Sequence, residues 1–298
     1  MWNTGLYSRP QSSVDRAVKT RRIAFSFEHS ARSKRHFVAG DIALSHLVAL
    51  LSAIFPSGEE CFVLSVRRYT DQITDPVLKQ QVAGFIGQEK NHGMQHRNLN
   101  GALEQMGYWV TRVLGAVGVR LVKLVKSNLD RIPDTVGKVL LADTAAMEHF
   151  TAVLGKQALT TPWVQEQLTD PEVRAMLNWH AIEEMEHKAV AFDVYRYVGG
   201  TERMRILSMV AILTLLGGPI FFLLASIATD SWAWRHPIKT LRSLIALPRS
   251  PLFEGIVRKI LVYLKPGFHP DDVDDSEALQ KWREEYFGPN GLLLGHLK

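Results

Sequence analysis

Two short runs in this chain pair carboxylate and imidazole groups at helical spacing. The first is Gln88-Glu89-Lys90-Asn91-His92, and the second is His180-Ala181-Ile182-Glu183-Glu184-Met185-Glu186-His187. A helix turns about 100° per residue, so residues three or four apart share a face. Glu89 therefore projects with His92, and His180, Glu184 and His187 line one stripe. One Glu-x-x-His on a helix is usually a solvated face. Two of them, with a single Glu on each of two further helices, form the ligand pattern of di-iron and di-manganese carboxylate bundles. The order along such a chain is Glu, Glu-x-x-His, Glu, Glu-x-x-His. It reads here as Glu59, Glu89 with His92, Glu148, and Glu184 with His187. Carboxylates bridge two cations and offset their charge, while imidazoles supply nitrogen ligands and leave positions open. Unpaired carboxylates are rarely tolerated in a core, so this set in apolar surroundings implies metal.

Several neighbours compete for these roles. Glu60 adjoins Glu59 but points elsewhere on the helix; Glu59 is preferred because it follows Gly58 at an expected break. Glu183 rivals Glu184, since it lies four before His187. Glu186 is expected to face solvent. His96, one turn after His92, either supports a ligand or is an extra one. His149 and the tyrosines Tyr69 and Tyr195 read as structural groups.

The elements that must hold these residues are helices. Asp41 caps a first helix through the apolar run Ile42–Phe55, which Pro56-Ser57-Gly58 should interrupt or kink before Glu59. Asp75-Pro76 opens a second long helix to about Met106. Residues 109–128 read as an amphipathic crossover. Pro133 starts a third long helix to about Ala158, and Asp170-Pro171 a fourth, ending near Gly199-Gly200. Four long helices with one long connection between the second and third make an all-α, ferritin-like four-helix bundle. A C-terminal helical extension follows.

That extension begins with an uncharged segment, residues 206–228, long enough to cross a bilayer at about 20 residues. Arg203 and Arg205 precede it, and Trp232, Trp234, Arg235 and Lys239 follow like an interfacial belt. Gly217-Gly218-Pro219 at its centre suggests a break or a hairpin. The expected divisions are a polar N-terminal segment, 1–36, loose over residues 1–20, and the di-metal bundle, 37–200. An apolar helix or hairpin, 201–232, either in contact with a membrane or buried as a fifth helix of a soluble domain, and a helical tail, 233–298, come after.

The 298 residues suit one large domain with an appendage, and 46% hydrophobic with 22% charged residues is an ordinary globular balance. The single cysteine, Cys61, excludes an internal disulfide and a thiolate zinc site. A net charge of +5 comes without zinc-finger spacing, an RNA-binding signature or a long basic tail, so nucleic acid is not an expected partner. No signal-peptide pattern opens the chain. The expectation is a cytoplasmic protein, associated with the inner face of the membrane, with room for a homodimer.

The runs Arg35-His36-Phe37, Gly40-Asp41, Phe55-Pro56, Gly58-Glu59, Ser65-Val66-Arg67, Glu89-x-x-His92 and Trp179-His180-x-x-Glu183-Glu184-x-Glu186-His187 resemble a bacterial family described as predicted metal-dependent hydrolases. The resemblance covers roughly residues 22 to 285. The stripe His180-x-x-x-Glu184-x-x-His187 also resembles the three-ligand fourth helix of the di-iron arylamine N-oxygenases. That likeness implies His180 as a seventh ligand and favours Glu184 over Glu183. The function expected first is a di-iron oxygenase or oxidase. It would take two Fe ions (Mn or mixed Fe/Mn also suit the ligands), dioxygen, an electron donor and a small hydrophobic or aromatic substrate. The alternatives are a two-metal hydrolase and a non-enzymatic iron-binding protein.

Overall fold

Aspartate side chains start three of the bundle helices. Asp41 accepts from Leu44 N at 2.8 Å and opens α1, Ile42–Arg67. Asp75 accepts from Val77 N and Leu78 N and opens α2, Pro76–Gln105. Asp170 does the same for Glu172 N and Val173 N at the head of α6, Pro171–His187. In α2 and α6 a proline fills the first helical position, where a missing N–H loses nothing. Between them run α3, Trp109–Asn128, and α4, Asp134–Thr160, followed by the short α5, Pro162–Gln167. The structure, a computed structural model, describes residues 18–30 and 35–297. It is all-α, with no strand among the described residues and one isolated bridge between Ile23 and Leu297.

Helices α1, α2, α4 and α6 form the bundle. α1 packs on α2, α4 on α6, and the two pairs close on one another. α3 crosses the outside of α1, where Gly118 permits close approach: a Cβ there would collide with Ser57 Oγ. The core divides into two apolar clusters. One surrounds Trp179, Tyr108 and Phe37, and the other Phe85, Tyr195 and Tyr263.

Three expectations change. α1 is not interrupted at Pro56: it runs on as one helix despite the lost hydrogen bond, packed against α2 and α3. The fourth helix is divided: α6 stops at His187, and α7, Val190–Tyr197, resumes after a turn in which Lys188 Nζ bonds Val273 O and Asp275 Oδ2, each at 2.7 Å. The segment leading to α1 is not simply polar. Ile23, Phe25 and Phe27 alternate into the core, and Gln95 ties their backbone through Phe25 N and Ile23 O. Residues 1–17, where a loose segment was expected, lie outside the described residues.

Beyond α7 come α8, Glu202–Leu215, and α9, Gly217–Ala228. Leu216 keeps helical angles (φ −59°, ψ −18°), so the apolar segment is a helix and not a hairpin. Pro219 falls in the first turn of α9, where proline is tolerated. By length and composition two helical stretches would suffice to cross a membrane, Ile42–Gln72 and Glu202–Ala228. The first is the bundle helix that carries Glu59. The second is mostly uncovered, with Leu207, Leu215 and Phe221 exposed. The tail adds α10, Ser231–Arg235, α11, Pro237–Ala246, α12, Ile256–Leu261, and α13, Ser276–Phe287. α12 packs on α4, and α13 on α6 and α4.

Candidate metal centre

Glu59 comes from the middle of α1, Glu89 and His92 from α2, Glu148 from α4, and His180, Glu184 and His187 from α6. All seven side chains are buried at one level of the bundle. Glu184 is central. Its Oε1 lies 2.8 Å from His180 Nε2, 3.6 Å from His92 Nδ1 and 3.8 Å from His187 Nε2. Glu89 Oε1 stands 3.3 Å from His187 Nε2, and Glu59 Oε1 3.5 Å from His180 Nε2. One atom from each of Glu89, His92, Glu184 and His187 can meet a common ion, and the same holds for Glu59, His96 and His180.

Each histidine is held from outside and presents its other nitrogen inward. His92 Nε2 is 3.0 Å from Glu183 Oε2, leaving Nδ1 toward Glu184. His187 Nδ1 is 2.8 Å from Glu148 Oε2, leaving Nε2 toward Glu89. His180 Nδ1 is 2.8 Å from His96 Nε2, leaving Nε2 toward Glu59 and Glu184. Outer partners of this kind fix the tautomer and ring plane of metal-binding histidines. An aromatic ring backs each one: Trp179 meets His92, Phe85 meets His187 and Phe55 meets His180, with centroids 4.8, 5.0 and 4.7 Å apart.

The donors facing inward lack protein partners. Both oxygens of Glu59 and of Glu89, Glu148 Oε1, Glu184 Oε2, His92 Nδ1 and His187 Nε2 are buried without a hydrogen bond. Orphans are rare in folded proteins, and this many on converging side chains need an explanation. Two divalent cations would supply it, since oxygen and imidazole donors suit Mg, Mn, Fe or Zn and their charge would match four carboxylates.

The electrostatics agree with that fit. Burial pushes the Glu59 and Glu89 carboxyls well above their ordinary range, and neighbouring carboxylates push them further. Burial raises Glu148 to about 7 against the pull of His187. Burial also works to raise Glu184, but His187 and His180 outweigh it and hold that group low. His92 and His96 are driven well below the usual imidazole value by burial, whereas Glu148 and Glu184 overcome burial at His187 and raise it to about 9. Bare carboxylates are therefore disfavoured here, and a bound cation would remove the conflict.

The neighbours sort differently from expectation at one place. Glu186 does not face solvent: it is buried, and its carboxylate meets Arg21 at 2.7 Å, Arg283 at 2.6 Å and Gln88 at 2.7 Å. Glu183 splits between His92 and Arg21, while Glu184 is the one that meets Glu89, His92 and His187. Glu60 is exposed, away from the cluster. His149 bonds Lys259 O and stacks near Tyr263, outside the centre. Tyr69 and Tyr195 bond Asp134 and Thr201 O and take no part. Sequence reasoning missed the outer chain behind His96, in which His96 Nδ1 lies 3.0 Å from Ser52 Oγ and Ser52 donates to Asn100 Oδ1 at 2.8 Å. The spacing of Ser52 one helical face before Glu59 was its only trace.

Two cavities reach the centre from opposite sides. One is apolar, of about 130 Å³, and ends on His180 and Glu184. The other, of about 420 Å³, touches Glu89 and Glu60, has Pro56, Val63, Leu64 and Met94 in its wall, and is rimmed by Arg67, Lys90, Arg97 and Lys126.

The family described as "predicted metal-dependent hydrolase" matches residues 19–274 of the chain. No curated protein and no solved structure matches it.

Proposed function

We propose, from the premise that this chain belongs to the family of predicted metal-dependent hydrolases, that it is a two-metal enzyme acting on a hydrophobic small molecule. The observation that carries the reading is the set of inward, unpartnered oxygens and nitrogens on Glu59, Glu89, His92, Glu148, Glu184 and His187. His180 joins them through its Nε2. Bound there, a metal pair would polarise a carbonyl or phosphoryl oxygen and activate water, or, as iron with an electron donor, activate dioxygen.

The chain's own groups bind, orient and exclude water. Glu183, His96 and Glu148 hold the three imidazoles in one tautomer each. Trp179, Phe85 and Phe55 close the space behind them. The apolar cavity brings a substrate against Glu184 and His180.

Hydrolysis is the reaction that family membership supports. A second reading, oxygenation at a di-iron pair, is favoured by the donor set: glutamates and histidines from four helices, deep in a bundle. One experiment separates them. The purified protein is loaded with Zn(II), Mn(II) or Fe(II), its metal content is measured, and alkyl esters, amides and phosphoesters are assayed beside oxygen uptake. Two metals per chain with ester or amide cleavage and no oxygen uptake is the expected result. Oxygen uptake tied to Fe(II) and a reductant, without cleavage, would transfer the assignment to the oxygenase. Failure to hold metal would sink both. The uncovered α8–α9 face supports a further part of the proposal, that the protein meets its hydrophobic substrate at a membrane surface.

A further inference from the structure

The apolar cavity runs lengthwise between helices. Its α1 wall is Leu44, Leu47, Leu51 and Phe55, a stripe at helical spacing. Leu44 and Phe55 are eleven residues apart, so the wall extends for about 16 Å at 1.5 Å per residue. The facing walls are Leu154 and Ala158 from α4 and Leu177 and Ala181 from α6. Polar groups that touch metal chemistry appear at one end only, where Phe55, His180, Glu184 and Thr151 come together. Val38, Trp163 and Leu168 line the far end. A volume of about 130 Å³ drawn out along such a wall is narrow.

We infer that this tunnel binds an unbranched aliphatic chain, with the head group of the molecule against Glu184 and His180. The inference rests on the two-metal reading for the head group's chemistry, but the chain's fit depends on the tunnel alone. Branched aliphatic side chains on three helices offer dispersion contact along a methylene chain; of the two other polar liners, Gln167 and Asn178, Asn178 is already engaged by Gln165 and Tyr286. The shape disfavours a flat ring, which needs width and not length. Ala158 and Ala181 keep the bore open, since a larger side chain at Ala158 would fill it from the α4 side. A polar or anionic substrate would lodge instead in the basic cavity beside Glu89, with Lys90 and Lys126 at its rim.

The test uses the full chain loaded with Zn(II) and a fluorescent polyene fatty acid as the probe, displaced by straight-chain alcohols from butanol to dodecanol. Naphthalene and benzyl alcohol serve as ring comparators. Affinity should rise about fourfold per added methylene and then level off once the tunnel is full. Ala158→Phe should weaken the longer alcohols at least tenfold and leave two metals per chain, while Lys90→Ala should change nothing. If Ala158→Phe does not fold, Leu47→Trp on the opposite wall carries the same expectation, and the wild-type length series decides by itself. Affinity that ignores chain length, ring compounds that compete as well as long alcohols, or loss of binding in Lys90→Ala would overturn the inference. Two metals with no alcohol binding overturns the tunnel alone. Length-dependent binding without metal overturns the two-metal reading and leaves the tunnel standing.

Discussion

His96 sits behind His180, a candidate ligand, and its hydrogen bonds run in one direction. If His180 uses Nε2 inward, its Nδ1–H donates to His96 Nε2, and His96 Nδ1–H then donates to Ser52 Oγ. Ser52 donates to Asn100 Oδ1, and Asn100 Nδ2 returns to Ser52 O at 2.9 Å. Every donor has one acceptor, so the chain fixes His180 in a single tautomer. Replacing such outer partners typically costs ten- to a hundredfold in metal affinity. His96→Phe should lose metal affinity by that range in a competitive chelator titration, and His96→Gln, which keeps an acceptor, should recover part of it. Equal affinity in wild type and His96→Phe would remove His96 from any positioning role. Gly93 gives a prediction of opposite signs. A Cβ there would stand 3.2 Å from Glu59 Oε2, so the carboxylate must give way. Elsewhere in a helix interior, Gly→Ala stabilises by up to about 1 kcal/mol. Gly93→Ala should therefore leave the metal-free melting temperature unchanged or higher while weakening metal binding. A matched fall in both would mean general damage.

At the scale of elements, a buried polar cluster pins α9 to α1. Asp230 Oδ2 lies 3.1 Å from His36 Nε2, 3.2 Å from His46 Nε2 and 2.9 Å from Arg35 Nε, and His46 Nδ1 is 2.7 Å from Ser226 Oγ. Arg35 already occupies the carboxylate oxygen that the histidines share, so the group works as a latch and not as a cation site. Burial lowers His46 to about 4 even beside Asp230. The unfolded chain binds a proton as pH falls below the ordinary value near 6.5, but the folded site stays neutral until about 4. Stability should thus decline through that window, by up to about 3 kcal/mol from this residue. His46→Gln should flatten the decline, read as the difference between the two proteins' urea midpoints from pH 7 to pH 4. Parallel curves would sink the assignment.

The same scale shows what a sequence can carry. Asp41, Asp75-Pro76 and Asp170-Pro171 are local signals, because a cap and its helix are a few residues apart; these starts were legible. So was the order of the carboxylates and imidazoles that converge in the bundle, since Glu-x-x-His repeats are also local. Glu186 was misread because its partners, Arg21 and Arg283, lie far away in sequence and reach it only through the folded N-terminal segment and tail. The Ile23, Phe25, Phe27 alternation is too short to announce burial without the surface that receives it. The division after His187 depends on Lys188 meeting Asp275, again a distant contact.

For the whole molecule, the unusual feature is apolar surface left outside. On α9, Ile220, Phe221 and Leu224 are exposed, and α10 and α11 continue with Trp234, Ile238, Leu241 and Ile245. Exposed basic residues interleave with the latter group: Arg235, Lys239, Arg242 and Arg249. A short amphipathic helix with basic residues beside exposed Trp and aliphatic groups is suited to lie in a bilayer interface, where apolar burial and attraction to anionic lipid add. Each basic residue near such a surface contributes about 1 kcal/mol, reduced by salt. The protein should co-sediment with vesicles containing phosphatidylserine and much less with neutral ones. Binding should weaken at high salt and fall by an order of magnitude or more in Lys239→Glu/Arg242→Glu. Trp234→Ala should reduce binding to both vesicle types while leaving metal content unchanged, because α10 lies apart from the seven residues of the proposed metal site. Binding that ignores lipid charge, salt and these substitutions would show that the exposed face serves something other than a lipid surface.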